Sequence, residues 1–304
     1  VKAVARTVLR ARPIPVTLVA SSRHRETWEP PMPISVSLIT DEASPVLAEG
    51  LRMAADEGLG TIDIRSIGGV NFLSLDAASQ RAAAREIRDA GFTVGAFATP
   101  LLKWPAPGRS VADMGDQFGF ELGDRSPDRL YEDAFRCAEI LGTRNLRVFS
   151  LLSYDGFTLA DLDPAYETLL RLAERHDRVL HVENEPVCNL RTVADLVAAM
   201  QRWRHPRLQA LLDIPNAWPV ARPSEADIEA VTPFVSQLHF KDWSEAANRR
   251  VAVGEGDIPF RLLLEPVYAA ARERDLTFVV ETHMPAEARS ATLRSIKAVK
   301  ALAC

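Results

Sequence analysis

Four short apolar runs, each stopping on a residue able to hold a metal ion, constrain this chain more than anything else in it. They are Arg178-Val179-Leu180-His181-Val182-Glu183, Leu208-Gln209-Ala210-Leu211-Leu212-Asp213, Phe234-Val235-Ser236-Gln237-Leu238-His239 and Leu276-Thr277-Phe278-Val279-Val280-Glu281. An apolar run of this length between turn signals reads as a buried strand. Successive stops lie about one strand–helix unit apart. In a barrel of such units every strand C-terminus opens onto one face, so four oxygen or imidazole ligands would converge on one point.

The rest of the chain carries the same rhythm. Residues 34–39 predict the first strand, followed by a helix with Thr40 or Asp41 as its cap and Gly58 at its end. Residues 61–65 and 92–98 predict strands two and three, with a helix capped by Asp76 between them. Residues 101–126, with Pro105, Pro107, Gly108, Gly115, Gly119 and Gly123, predict a long loop over the open face. A helix from Pro127 to Gly142 leads to strand four at Leu146-Arg147-Val148-Phe149. Helices are expected from Asp161 or Asp163 to Arg175, from about Leu190 to Trp203, after Ser224, from Pro259 to Arg274, and from Glu287 to Leu302. Eight strands alternating with eight helices imply a parallel sheet with right-handed crossovers, closed into a single (β/α)8 TIM barrel over residues 34–304. The competing open, doubly wound sheet wants a Gly-rich phosphate turn after strand one, and Ile39-Thr40-Asp41-Glu42-Ala43 is not one.

Residues 1–33 differ in character. They are rich in Arg and Pro, without sustained periodicity, and read as an irregular N-terminal extension. Pro13 and Pro15 interrupt the only apolar stretch there, which argues against a signal peptide. With Met32 directly before strand one, residues 1–31 are expected to be an over-extended start or a loosely ordered arm. Net charge is −5 with both signs interspersed, which argues against nucleic acid as a partner. No apolar run is long enough to cross a membrane. Cys137, Cys188 and Cys304 lack CxxC spacing and fit a reduced, cytoplasmic setting. A homo-oligomer is left open.

Glu183, Asp213, His239 and Glu281 offer carboxylates and one imidazole without thiolate. That donor set suits one hard or borderline divalent ion, Mn2+ or Mg2+ first and Co2+ or Zn2+ next. Several polar residues near strand ends are candidates to bind substrate: Arg65, Lys103, His181, Asn216, Lys241, Asp242, Glu255 and His283. Each has a plainer reading as a core hydrogen bond, a loop residue or a solvated charge. Trp104, Phe118, Phe120, Trp218 and Trp243 also follow strand ends, where a sugar's C–H face packs well.

The order Glu, Asp, His, Glu at the ends of strands five to eight resembles the xylose isomerase-like barrel superfamily, in particular its sugar isomerase/epimerase group with ketose 3-epimerases and inosose dehydratases. Glu183-Asn184-Glu185-Pro186, Asp213-Ile214-Pro215-Asn216, His239-Phe240-Lys241-Asp242, Gly254-Glu255-Gly256-Asp257 and Glu281-Thr282-His283 carry the likeness, which spans about residues 34–302. It implies a metal-dependent isomerase or epimerase acting on a sugar or keto-sugar by proton abstraction next to a carbonyl, through an enediolate. It further implies Glu183 and Glu281 as acid and base, and Asp213 and His239 mainly as metal ligands. Ketose 3-epimerases often place His near Asn216, a departure here. The alternative is a lyase or dehydratase on a keto-sugar, inosose or 3-keto-glycoside. DNA repair of the endonuclease IV kind would want a larger His-rich set than the 6 His of this chain.

Overall fold

Strict alternation in the sequence becomes strict alternation in space. The computed structural model describes residues 34–111 and 113–304; the expectations for residues 1–33 lie outside the described residues. Eight parallel strands make one sheet: β1 Ser35–Leu38, β2 Thr61–Ile64, β3 Thr93–Phe97, β4 Asn145–Val148, β5 Val179–Glu183, β6 Leu208–Leu212, β7 Val235–Phe240 and β8 Thr277–Val280. Neighbours in sequence are neighbours in the sheet from β2 to β8, and β8 returns to pair with β1. A bridge between Ile39 and Asp63 joins β1 to β2 and closes the ring. The expected barrel is present.

The helices follow the strands: α1 Leu47–Asp56, α2 Ala77–Asp89, α3 Pro127–Leu141, α4 Asp163–Arg175, α5 Val193–Trp203, α6 Glu225–Val231, α7 Glu265–Ala270 and α8 Ala288–Leu302. α3 shows why such a segment is helical. Ser126 accepts a hydrogen bond from the Arg129 N–H, and Pro127 follows in the first turn, where a missing N–H is harmless. Leu130, Ala134, Cys137, Ala138 and Leu141 recur at helical spacing and are buried, and Gly142 ends the helix in the left-handed conformation at φ 73°. Asp76 and Ser224 cap α2 and α6 as expected.

Two helix boundaries differ from expectation. Thr40 and Asp41 do not cap α1, which begins only at Leu47. Pro45 intervenes, and a proline disfavours helix in the residue before it. Residues Thr40–Glu42 form a tight turn instead, releasing the carboxylates of Asp41 and Glu42 toward the barrel mouth. The helix expected from Pro259 to Arg274 is broken into Phe260–Leu263 and α7.

Inside the barrel, below the strand ends, lies a polar layer. Asp63 accepts from Ser37 at 2.8 Å and from Gln237 Nε2 at 2.6 Å, and Gln237 Oε1 is 2.9 Å from His181 Nδ1. All four side chains are buried, and each finds a partner, as groups withdrawn from water must.

Candidate metal centre

Parallel strands aim their final inward residues at a common axis. Glu183 closes β5, Asp213 and Glu281 directly follow β6 and β8, and His239 is the next-to-last residue of β7. All four are buried, and each offers a ligand atom within 4.8 Å of those of the others. Divalent ions of the Mg2+ or Mn2+ type bind oxygen at about 2.0–2.2 Å, so a modest contraction around one ion satisfies this spread. The donor chemistry fits as well, being three carboxylates, one imidazole and no sulfur.

Cations surround these carboxylates. Arg147, on β4, directs Nη1 at Glu183 Oε2, 3.1 Å, and at Glu281 Oε1, 3.6 Å. Its remaining nitrogens donate to the backbone oxygens of Ala98 and Thr99. Lys241 reaches Asp213 Oδ2 in a close contact and Glu281 Oε2 at 2.7 Å. His239 Nδ1 is 3.2 Å from Glu281 Oε2 and 3.6 Å from Glu183 Oε1. Burial alone would raise Glu183, but Arg147 and His239 overcome it and draw the carboxyl down to about 2. Burial is likewise outweighed at Glu281, which Lys241 and His283 hold well below the usual range. At His239 burial works against the charged form, yet Glu281 and Glu183 push the imidazole up to about 9. One atom stands apart. Glu183 Oε2 is buried and, despite its nearness to Arg147, accepts no hydrogen bond.

Beside this set is a second one. Glu42, Glu281 and His283 also bring ligand atoms within 4.8 Å of one another. Arg65 lies among them: Nη2 is 2.6 Å from Glu42 Oε1, Nη1 is 3.0 Å from Glu281 Oε1, and Nε is 3.0 Å from Asp41 Oδ2. The ring of Phe118 covers the guanidinium at 3.5 Å. His283 Nδ1 meets Arg250 Nη1, while its Nε2 is 3.2 Å from Glu281 Oε1. Nε2 is also 3.3 Å from Arg65 Nη1, and burial pulls the imidazole below its ordinary range.

Glu42 and His283 of the second set line a cavity of about 560 Å3, with Arg65, Lys103, Phe118, Glu185 and Arg250 among its other walls. A larger one of about 1300 Å3 is lined by residues at the strand beginnings, including Val179, Leu208 and Val235. It lies at the end of the barrel opposite the strand C-termini that carry the four candidate ligands, so its size does not make it the chemical site.

The residues singled out from sequence sort as follows. Lys241, His283 and Arg65 contact the carboxylate cluster directly. Asn216 donates to Glu183 and Glu185, both at 3.3 Å, and accepts from Arg250. Lys103 lies 3.6 Å from Glu185 on the cavity wall. His181 bonds Gln237 and Ser236 in the polar layer and does not contact the cluster. Asp242 is turned away: it accepts from the backbone N–H groups of Trp243, Gly254, Gly256 and Ile258, stapling a loop. It does not pair with Lys241. Glu255 bonds Arg294 on the surface, outside the cavity. Sequence reasoning passed over Arg147, Glu42, Glu185 and Arg250. Arg147 carried a signal, a charged residue inside an apolar strand run. Arg250 carried none, since it sits on a hairpin, Asp242–Ser244 with Arg249–Val251, that no periodicity announces.

A family model described as "Xylose isomerase-like TIM barrel" matches residues 51–302. No curated protein matches the sequence. Several solved structures share the fold. One is the probable 3-DHS dehydratase AsbF from Bacillus anthracis, at 15% identity, with 88% of this chain and 98% of that chain covered and a TM-score of 0.65. Another is the IOLI protein with a bound zinc atom, at 13% identity, 89% and 98% coverage and a TM-score of 0.67. A third is D-allulose 3-epimerase from Methylomonas sp., at 13% identity, 90% and 99% coverage and a TM-score of 0.65. At such identities the likeness is one of fold.

Proposed function

The chain belongs to the xylose isomerase-like TIM barrel family, and from that premise we propose that it is a divalent-metal-dependent isomerase or epimerase of a sugar or keto-sugar. The observation that carries this reading is the meeting of Glu183, Asp213, His239 and Glu281 within 4.8 Å at the strand ends. These four would hold one ion, Mn2+ or Mg2+ by their hardness. When bound, the ion supplies charge stabilisation for an oxyanion next to the reacting carbon.

The chain's own groups do the rest. Glu183 and Glu281 are kept ionised by Arg147 and Lys241, which is the form a base must have. The same cations weaken them as bases, so the freer oxygen is the better candidate. Glu183 Oε2 accepts no hydrogen bond and has the Arg147 ion pair at 3.1 Å as its one close partner, so it is the candidate. It removes the proton beside the carbonyl and becomes the carboxylic acid; Glu281 takes a proton from a water molecule and then gives it to the enediolate. Phe118 lines the cavity and covers the Arg65 guanidinium. A neutral sugar needs no phosphate cradle.

A second reading is a lyase or dehydratase on the same cluster. It is favoured by one observation: His283 lines the cavity with its Nε2 3.2 Å from Glu281 Oε1, a position from which a ring N–H would protonate a leaving hydroxyl. His181, deeper in the barrel, does not offer this.

The test uses chelator-treated protein, restored with Mn2+ or Mg2+, on a panel of ketoses, inososes and 3-keto-glycosides in deuterated water. Isomerisation is expected, with deuterium on one carbon and no loss of water or aglycone by mass. Glu183→Gln and Glu281→Gln are each expected to lower turnover by at least about a thousandfold, roughly 4 kcal/mol of transition-state stabilisation. Full activity after metal removal, or in both variants, sinks the reading.

A further inference from the structure

Glu42, Glu281 and His283 form a second ligand set that shares Glu281 with the first. Glu281 turns Oε2 toward His239 and Lys241 and Oε1 toward Arg65 and His283. A carboxylate that gives one oxygen to each of two adjacent ligand sets is the geometry of a bridged two-metal site. We propose that Arg65 stands permanently in the place of the second ion, so that the centre binds one divalent metal and not two. This inference rests on the metal reading of the first cluster.

Three observations converge on it. Arg65 meets three carboxylates at 2.6 to 3.0 Å, two of the second set and Asp41 beside it. A guanidinium does this well because its planar fork fixes several N–H directions at once and does not lose its proton in a protein.

The two sets also differ in how fully they are satisfied. Glu42 Oε1 bonds Arg65, and Oε2 accepts from the Thr282 hydroxyl and from the Thr282 and His283 N–H groups. Glu281 Oε1 has Arg65, and His283 has Arg250 and Glu281. In the first set Lys241 touches only Asp213 and Glu281, and Glu183 Oε2 faces Arg147 Nη1 at 3.1 Å without accepting a hydrogen bond; beside the second set the one such carboxylate oxygen among the described residues is Asp41 Oδ1, on a carboxylate outside the set. A buried acceptor left open is where a ligand is still wanted.

The charges agree. With the ligands in the form a metal needs, carboxylates ionised and His239 neutral, Asp41, Glu42, Glu183, Asp213 and Glu281 are five carboxylates in one contact chain, and Arg65, Arg147 and Lys241 are the three cations left touching them. Two negative charges remain, which one divalent ion balances and two would overcompensate. Remove the Arg65 charge and three remain, with an open set of donors beside the first.

Arg65 is therefore a positioning residue. It holds Glu281 Oε1 in place, so that only Oε2 is offered to the ion, and it needs no loading from solution. Its fixed charge also keeps the second set closed to adventitious metal.

The test measures bound Mn2+ per chain on stripped full-length protein, by elemental analysis and calorimetry, with the Mn2+ EPR spectrum as a second readout. Wild type is expected to bind one ion, with an uncoupled six-line spectrum. Arg65→Ala is expected to bind two, with a spectrum broadened by coupling through Glu281, and Arg65→Ala with Glu42→Gln to return to one. Glu42→Gln alone, which keeps Arg65, should leave stoichiometry at one and affinity within about threefold; it serves if Arg65→Ala does not fold. Two ions in wild type, one ion in folded Arg65→Ala, or a loss of the wild-type ion in Glu42→Gln overturns the inference while leaving the metal reading intact. No ion in wild type overturns both.

Discussion

Lys241 Nζ lies 2.7 Å from Glu281 Oε2, and the same ammonium bonds Asp213. Lys241 directly follows β7 and, two residues after His239, points the same way, which is how a lysine comes to lie among the candidate metal ligands. Burial disfavours its charge, but Asp213 and Glu281 more than compensate and keep it protonated. Lys241 and an ion bound at the proposed centre would therefore compete for two carboxylates.

Replacing Lys241 should expose that competition. Lys241→Met keeps the length of the side chain and removes the charge. Its Mn2+ affinity is expected to rise at least about tenfold, roughly 1.4 kcal/mol, while turnover falls. Calorimetric titration of both proteins decides it. Unchanged or weaker Mn2+ binding would mean that the lysine does not share those oxygens with the ion.

The loop over the cavity depends on one close approach. Gly119 has φ +71°, and a Cβ added there would lie 2.0 Å from the Gly69 carbonyl oxygen. The Gly119 oxygen in turn accepts from the Asn71 N–H. Gly119→Ala must therefore lift the neighbouring Phe118 from Arg65. Since this loop lies outside the barrel proper, the melting temperature should barely change. KM should rise about tenfold, about 1.4 kcal/mol of lost substrate binding. A wild-type KM in a folded Gly119→Ala protein would remove Phe118 from substrate binding.

Thiol chemistry offers a check on the packing. Cys137 and Cys188 are buried, whereas Cys304 is exposed. Burial raises both interior thiols, Cys137 to about 12, so at pH 8 almost no thiolate forms there. The sign follows: reactivity at these two grows only as pH approaches values far above the working range, or on unfolding. Native protein at pH 8 should release one equivalent from a disulfide reagent and denatured protein three. Three fast equivalents under native conditions would contradict the packing of α3 on the sheet.

The strands were legible because each is apolar, short and bounded by turn residues, and because strict alternation admits few topologies. The four ligand candidates were legible for the same reason, each being the polar stop of an apolar run. What escaped detection was polar structure in connections. The hairpin that carries Arg250 is too short to show a period, and the turn Thr40–Glu42 reads as the start of a helix because Thr40 and Asp41 are residue types that cap one. Asp242 shows the converse error. A carboxylate beside a metal-ligand motif suggested recognition of substrate, yet four backbone N–H groups claim it. Sequence reveals that a charge is present; only the folded backbone reveals what it is spent on.

Between β1 and β2 the described main chain offers a single bridge, Ile39 with Asp63. Just above it Arg65, from the β2 side, clasps Asp41 and Glu42 from the β1 side. The hoop is thus fastened at its last joint by side-chain electrostatics more than by backbone. Any event that redistributes charge around Arg65 will be felt mechanically, as a loosening or tightening of the ring, and breathing of the barrel should begin there.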